Sequence, residues 1–238
     1  MPLPVSTTRR KISLVQTFLT AYKTPIGHLR VAQVILSCSC IALISCWGIT
    51  VTYSCRTDNG IENFPHNVNT FKLSQVKLKS CNGEERTLWH DNDNASSNAG
   101  FFYFLCSLGL LYSLICSVFY TFFWQKYLAF ELYTMLDLLL SFIISLMFLI
   151  GAAVWWGGAS TILTAGSDHN MRQLLTDHAG FWDLQPENLQ FIRESNSWVL
   201  VLSVLLSWVL CVTHFASFFY VARCLFRKLS FENDDAGL

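Results

Sequence analysis

One aspartate and one histidine stand within long apolar segments, and they are the first candidates for chemistry in this sequence. Asp137 lies near the start of segment 135–156, and His214 lies inside segment 198–221. A charged group within a bilayer is costly, so such residues often mark an ion or proton pathway. For Asp137 we favour a structural role, because the helix dipole, water or Lys126 can stabilise a carboxylate close to the membrane surface. For His214 we expect a hydrogen bond inside a helical bundle.

One pair of cysteines has the position expected of a disulfide. The chain has nine cysteines, and of these Cys55 and Cys81 alone fall in segments that the charge pattern described below assigns to the non-cytosolic side. Two cysteines in an oxidising compartment most simply pair with each other. We therefore predict a Cys55–Cys81 disulfide, with two free thiols or intermolecular disulfides as the alternatives.

Two further positions are candidates for covalent modification. Asn94 opens the sequon Asn94-Ala95-Ser96, which predicts N-glycosylation outside the cytosol, although the next apolar segment begins close by. Cys224 follows Arg223 at the cytosolic end of the last apolar segment. That juxtamembrane position makes Cys224 a palmitoylation candidate.

Small residues recur at helical spacing in the third apolar segment, at Ser141, Ser145 and Gly151. Small side chains let the backbones of membrane helices approach each other closely. We predict that these residues pack against neighbouring helices of the same chain, with an interface between copies as the alternative.

The remaining reactive residue types lack the spacing of a catalytic or metal site. The six histidines are scattered, and the sequence contains no Cys-x-x-Cys pair and no glycine-rich phosphate loop. Cys38-Ser39-Cys40 lies in apolar surroundings, where thiols are usually inert packing groups. We therefore predict a protein that is not an enzyme, with no cofactor, no metal and no nucleic-acid partner.

The elements that position these residues are four apolar segments without proline. About 20 residues of helix cross the hydrocarbon core of a bilayer, and the composition, 53% hydrophobic and 13% charged, fits a membrane protein. We predict an all-α membrane protein, an antiparallel four-helix transmembrane bundle with a disulfide-tied first lumenal loop. The predicted bundle covers 31–225, with spans 31–53, 101–124, 135–156 and 198–221, lumenal loops 54–100 and 157–197, and cytosolic segments 1–30 and 226–238.

Charge predicts the orientation of the spans. The termini and the short middle loop carry nine basic residues, Arg30 among them, against four acidic ones, whereas the two longer loops carry seven basic and eleven acidic residues. Basic residues are enriched on the cytosolic side, so we predict both termini in the cytosol and a first span that is retained as a signal anchor. Aromatic residues near the span ends predict two interfacial belts: Trp124, Tyr127 and Tyr133 at one, and Trp155, Trp156 and Trp198 at the other.

The two longer loops also contain local structure signals. Residues 71–78 alternate apolar and polar side chains, which is typical of a half-buried strand. In the second loop, an acidic residue opens each of two helix candidates, 168–177 and 187–195. Acidic side chains stabilise helix N-termini, so we predict a short helix at each place.

Three motifs resemble those of one family. Thr24-Pro25-Ile26-Gly27-His28-Leu29-Arg30-Val31 precedes the first span, and Phe71-Lys72-Leu73-Ser74-Gln75-Val76 stands in the first loop. The most specific is Met135-Leu136-Asp137, followed across the third span by Met147, Leu149, Trp155, Gly158 and Ser160. These residues resemble the synaptophysin family of four-span vesicle proteins, within the MARVEL-domain superfamily.

The resemblance implies a multipass protein of synaptic or other secretory vesicles that organises vesicle proteins and lipids. It implies homo-oligomers, cholesterol-rich surroundings, and pairing with a synaptobrevin-type vesicle SNARE and the vacuolar proton ATPase. It also implies a Cys55–Cys81 bridge and a structural role for Asp137.

Two other function classes remain as alternatives. An oligomeric channel or transporter needs a polar pore lining, and the spans here lack a polar face. A junctional or adhesion protein of the tetraspanin, claudin or connexin type carries loop cysteines in patterns that this sequence lacks.

Overall fold

The computed structural model describes residues 22–57, 60–79, 83–177, 192–195 and 197–236. Within these residues, four long helices are apolar enough to cross a membrane. In chain order the elements are α1 Pro25–Ser45, β1 Ile49–Thr57, β2 Gly60–Val68, β3 Lys77–Lys79, β4 Glu85–Thr87, α2 Ser96–Ala129, α3 Glu131–Ala165, α4 Asp168–Asp177, β5 Ile192–Ser195 and α5 Ser197–Ala236. Helix α2 is kinked at Phe123 (φ −125°, ψ 19°).

The long helices form a closed bundle. Helix α1 contacts α2 and α5, and α3 contacts the same two helices on the opposite side. Phe130 alone separates α2 from α3, so these two helices form a tight antiparallel hairpin at what we call the hairpin end. The prediction of an antiparallel four-helix transmembrane bundle is confirmed.

The first helix is shifted toward the N-terminus relative to the predicted span 31–53. Thr24 caps α1, since its side chain accepts a hydrogen bond from the Gly27 amide at 3.4 Å, and Pro25 occupies the first turn, where proline costs no hydrogen bond. The helix ends at Ser45, and the β-branched run that follows lies in β1. The predicted span was therefore wrong at its C-terminal end, because hydropathy does not separate an apolar strand from an apolar helix. The shift brings Arg30 into the bundle.

The two longer loops meet in one sheet at the other end of the bundle, which we call the loop end. Strand β1 is central and pairs antiparallel with β2 and with β5, so that Ile49 lies between Val68 and Ser195. Helix α4 confirms the predicted helix at 168–177. The predicted helix at 187–195 was wrong for residues 192–195, which form β5, and its first part lies outside the described residues.

A second, two-stranded sheet of β3 and β4 lies in the first loop. The predicted strand over 71–78 was wrong for most of its length, because Leu73–Gln75 form a 3₁₀ turn and strand begins at Lys77. The Tyr53 hydroxyl of β1 donates to the Lys79 carbonyl and so joins the two sheets. Burial raises the pKa of the Tyr53 hydroxyl, which is protonated at neutral pH even at its ordinary pKa.

The sheet face toward the bundle continues the helical core. Ile49, Val51 and Tyr53 alternate along β1 and are all buried, as the period of two in a strand requires. The Trp89 indole, also buried, donates to the Ala165 carbonyl at the end of α3 at 3.2 Å. The loops are thus fixed to the helices as one structure.

Only part of the predicted aromatic belts lies at the surface. Trp156, Trp198 and Tyr133 are exposed, as belt residues would be. Trp124 and Tyr127 at the hairpin end, and Trp155 at the loop end, are buried. Their assignment to the belts was wrong, because position along a span does not reveal which face of the helix a residue occupies.

Gly151 allows α2 and α3 to approach closely, so we predict that Gly151→Ala destabilises the protein. A Cβ at this position would overlap Leu105 Cδ1 of α2, and overpacking of this kind costs about 1–3 kcal/mol. Gly157→Ala on the same helix is the matched control, since its Cβ meets no described atom within 4 Å. Thermal unfolding in detergent should show a lower Tm for the first variant alone. An equal Tm for both would contradict the close packing of these helices.

Candidate functional site

A buried ion pair connects α1 and α3 near the hairpin end. Arg30 Nη2 lies 2.8 Å from Asp137 Oδ1, and the two side chains are 0% and 8% exposed. Removing two charges from water is expensive, and their attraction compensates only where further hydrogen bonds satisfy both groups. The hydrogen bonds around the pair therefore decide whether it stabilises the bundle.

Tyrosine hydroxyls from α2 satisfy the carboxylate. Tyr120 and Tyr127 donate to Asp137 Oδ2 at 2.6 and 3.1 Å, and Tyr112 donates to Oδ1 at 2.8 Å. Tyr127 lies beyond the kink in α2 and still reaches the same oxygen as Tyr120. Among the described residues, Asp137 is thus held by Arg30 and three tyrosines, with the Cys116 thiol also donating to Oδ1 at 3.8 Å. The Lys126 ammonium instead lies over the Phe123 ring, 5.4 Å from its centre.

The guanidinium of Arg30 is held on several sides. Its Nη2 lies 2.8 Å from the Tyr112 hydroxyl and 3.1 Å from Ser141 Oγ, and its Nη1 donates to Gln33 Oε1 at 3.1 Å. The guanidinium carbon also stands 4.6 Å from the centre of the Tyr112 ring, a cation–π distance. Nη2 has two hydrogens and three neighbouring acceptors. If one hydrogen is donated to Asp137, the Tyr112 and Ser141 hydroxyls share the other. The Nε atom has no partner among the described residues.

Gln33 extends the network to the fourth helix. Its amide nitrogen donates to the Thr213 carbonyl at 3.1 Å and to Ser217 Oγ at 2.8 Å, both on α5. Its amide oxygen also accepts a hydrogen bond from Ser113 of α2 at 3.2 Å. Side chains from α1, α2, α3 and α5 therefore belong to one buried polar network.

The network is suited to fixing the arrangement of the four helices and not to acid–base chemistry. Its one carboxylate is paired with a guanidinium and accepts hydrogen bonds on both oxygens, so it offers no free base. Satisfied buried polar networks rigidify a core and specify one arrangement of its elements. Within the described residues, no group of His, Cys, Asp and Glu is arranged to hold a metal ion.

Residues 21–220 match the family model MARVEL, described as a membrane-associating domain. The chain belongs to the MARVEL family. The matched range contains the whole polar network, from Arg30 to Ser217. Together with four helices long enough to span a bilayer, this membership makes the chain a multipass membrane protein.

His214 lies inside this MARVEL domain without the hydrogen bond predicted for it. The side chain is fully buried and stacks on Phe148, with ring centres 4.6 Å apart and planes 11° apart. Neither ring nitrogen has a hydrogen-bond partner among the described residues. That prediction was wrong: among the described residues, the imidazole instead packs by its ring face on the apolar Phe148 side chain.

We predict that His214→Leu is neutral or stabilising. A buried polar group without a partner costs about 1–3 kcal/mol, and an apolar side chain of similar size removes that cost. Thermal unfolding in detergent measures the change, with Ser217→Ala as the comparison, since Ser217 binds Gln33 and its loss should lower Tm. A large loss of stability in His214→Leu would mean that the imidazole has a partner.

The other predicted packing residues lie where small side chains are needed. Ser141 and Ser145 are buried in α3, and Ser145 Oγ donates to the Ser141 carbonyl at 2.6 Å. Ser141 also accepts from Arg30, so it belongs to the polar network as well as to the packing. Gly151 contacts α2 further toward the loop end.

The predicted modification sites are separate from the network. The Asn94 amide is partly buried and bound to Ser74, donating to its Oγ at 2.8 Å and accepting from its backbone N–H at 3.1 Å. Cys224 lies half-buried on α5. Cys81 and the Cys55 side chain lie outside the described residues, so the disulfide stays a prediction.

Sequence reasoning missed most of the network. The charge pattern assigned Arg30 to the cytosolic flank, the belt pattern assigned Tyr127 to an interface, and Gln33, Tyr112 and Tyr120 were not singled out. A signal was present, because an arginine and a glutamine three residues apart lie on one face of a helix. The same holds for the tyrosines, whose spacings of eight and seven residues place them on one face of α2.

Proposed function

We propose that this MARVEL-domain protein is a non-enzymatic organiser of synaptic or other secretory vesicle membranes, acting in trafficking and exocytosis. The observation that carries the proposal is the buried network that ties all four helices together. A bundle locked in this way offers a fixed outer surface for other membrane components.

The outer surface supports contacts made within the bilayer. Large apolar side chains cover the outward faces of the helices, for example Phe104, Leu111, Ile150 and Val212, all exposed. Faces of this kind suit contact with lipid acyl chains, which are as apolar as leucine. The partners that we propose are lipid and cholesterol, further copies of this chain, a synaptobrevin-type vesicle SNARE and the vacuolar proton ATPase.

The charge pattern supports cytosolic termini after correction for Arg30. Without this buried residue, the predicted cytosolic segments keep eight of the nine basic residues counted there, against four acidic ones. The excess of basic residues in the predicted cytosolic segments, which sets the orientation of the spans, therefore persists. In this orientation the sheet at the loop end faces the vesicle lumen, where we propose the Cys55–Cys81 disulfide and, at Asn94, a glycan, with palmitoylation of Cys224 on the opposite side.

Co-purification from native membranes tests the proposed function. The tagged full chain is extracted in a mild, cholesterol-preserving detergent, and the recovered proteins are quantified by mass spectrometry, with untagged membranes as the background. We expect synaptobrevin-type SNAREs or vacuolar ATPase subunits at near-stoichiometric levels. Recovery of plasma-membrane adhesion or junction proteins in their place would overturn the vesicle assignment.

A further inference from the structure

Helices α1 and α5 bring basic residues to the same level at the hairpin end. Gln33 of α1 donates to Ser217 of α5, and this bond gives the register of the two antiparallel helices. At 1.5 Å per residue, the start of α1 at Pro25 lies about 12 Å from the bond toward the hairpin end. Arg223 and Arg227 of α5 lie about 9 and 15 Å from it in the same direction. The two arginines therefore stand on either side of the level at which α1 begins.

The basic side chains at this corner are accessible and grouped. Arg223, Arg227 and Lys23, which stands two residues before α1, are all exposed. The arginines are four residues apart, so they are neighbours on one face of α5. Both also lie close enough to the Tyr220 hydroxyl to act on it electrostatically. Two guanidinium groups thus flank one hydroxyl, with a lysine from α1 at the same level.

The positive charge of this corner is not neutralised within the described part of the chain. Lys23, Arg223 and Arg227 form no ion pair with a described residue, and neither does Glu131, the acidic residue that opens α3 at this end. Glu232 follows Arg227 by five residues, a spacing that does not make two helical side chains neighbours. The corner can therefore accept an anionic partner.

The surroundings of the arginines suit the boundary between acyl chains and headgroups. Phe226, next to Arg227, is 69% exposed, and Phe219, one turn deeper than Arg223, is 64% exposed. Arginine can lay its apolar stem along such a surface and place its charged end in the headgroup region. A guanidinium group binds phosphate oxygens through paired hydrogen bonds. A lipid phosphate is thus the anion that this position fits best.

We propose that this corner binds the headgroup of a phosphoinositide, a lipid that carries several phosphate charges. Arg223 and Arg227 contact its phosphates, Lys23 adds a third cation from α1, and Phe226 lies against its acyl chains. Two guanidinium groups on one face favour a lipid with several phosphates over phosphatidylserine, which carries one net negative charge. The proposal rests on the cytosolic orientation given to the hairpin end in the proposed function, and not on residence in vesicles.

Photolabelling of the reconstituted full chain tests the lipid class. The phosphatidylcholine vesicles contain photoactivatable phosphatidylinositol bisphosphate or photoactivatable phosphatidylserine, in amounts that give equal headgroup charge, and labelled peptides are mapped. We expect the phosphoinositide to label the end of α5 and the start of α1 at least about fivefold more, the effect of one further basic contact. Both leaflets contain the probe, so the result is independent of orientation and of the vesicle assignment.

A soluble competitor separates a lipid from a free inositol phosphate. Inositol trisphosphate, equimolar with the lipid probe, should leave the labelling unchanged, because it has no acyl chain to contact Phe226. Loss of the labelling would identify a soluble inositol phosphate as the ligand and would overturn the lipid assignment.

Variants of single charges localise the site. Arg223→Gln and Arg227→Gln should each reduce phosphoinositide labelling about fivefold, the usual effect of one basic residue at an anionic surface. Lys126→Gln is the matched control, because it removes one exposed positive charge at the same end but lies on α2, diagonal to α5. Its labelling should not change. If an arginine variant fails to fold, Lys23→Gln tests the corner from α1. Equal labelling by the two lipids, or equal losses from Arg227→Gln and Lys126→Gln, would overturn the proposal.

Discussion

Asp137→Ala should destabilise the bundle by about 3–5 kcal/mol, the usual cost of removing one partner of a buried ion pair. The variant leaves the Arg30 guanidinium fully buried without a counter-charge. It also removes the acceptor of the Tyr120 and Tyr127 hydroxyls. Thermal unfolding of the purified protein in detergent, followed by size-exclusion chromatography, measures the loss.

Two controls separate the ion pair from general effects of substitution. Lys126→Ala removes an exposed charge at the same end of the bundle and should leave Tm almost unchanged. The double variant Arg30→Met/Asp137→Leu should be more stable than Asp137→Ala, because it removes the unpaired buried guanidinium, while both variants leave the Tyr120 and Tyr127 hydroxyls without their acceptor. A double variant no more stable than Asp137→Ala would show that the charges themselves are not the source of the loss.

Trp155→Ala should cost about 3–5 kcal/mol, as expected when a large buried aromatic side chain is removed. Trp155 is fully buried and stacks on Phe102 of α2, with ring centres 5.5 Å apart and planes 3° apart. Its indole N–H donates to Ser203 of α5 at 3.0 Å. The Phe71 ring of the first loop also lies nearly perpendicular to the indole, with ring centres 5.7 Å apart. One side chain thus holds two helices and a loop against α3.

Trp156→Ala is the matched control for this effect. Trp156 is the next residue of the same helix but is 59% exposed toward lipid. The same measurement of Tm should therefore show a small change for Trp156→Ala and a large one for Trp155→Ala. Similar losses from both variants would mean that Trp155 is not the contact on which the loop end depends.

The sequence determined the class of this fold and the number of its membrane-spanning helices. Long apolar segments have few ways to satisfy their backbone in lipid other than a helix, so hydropathy was sufficient to predict four spans. The tight connection at Phe130 likewise followed from the few residues between the second and third segments. The first span was the exception, because its apolar residues continue from α1 into β1 without a change in hydropathy.

The loops show why local sequence patterns were insufficient to predict secondary structure outside the spans. Residues 192–195 carried a weak helical signal, and they pair with β1, a strand about 140 residues earlier. Strand propensity depends strongly on the neighbouring strand and on burial. No pattern within the second loop could therefore reveal this pairing.

The polar network was likewise predictable from the sequence only in part. The sequence alone placed Asp137 in the membrane and showed that a carboxylate there needs a partner. It did not identify that partner, because Arg30 is separated from Asp137 by 107 residues and stands where a flanking basic residue would also stand. Only the tertiary structure decided the pairing. Helix rotation and crossing, which depend on the summed packing of all four helices, set which side chains face each other in the core.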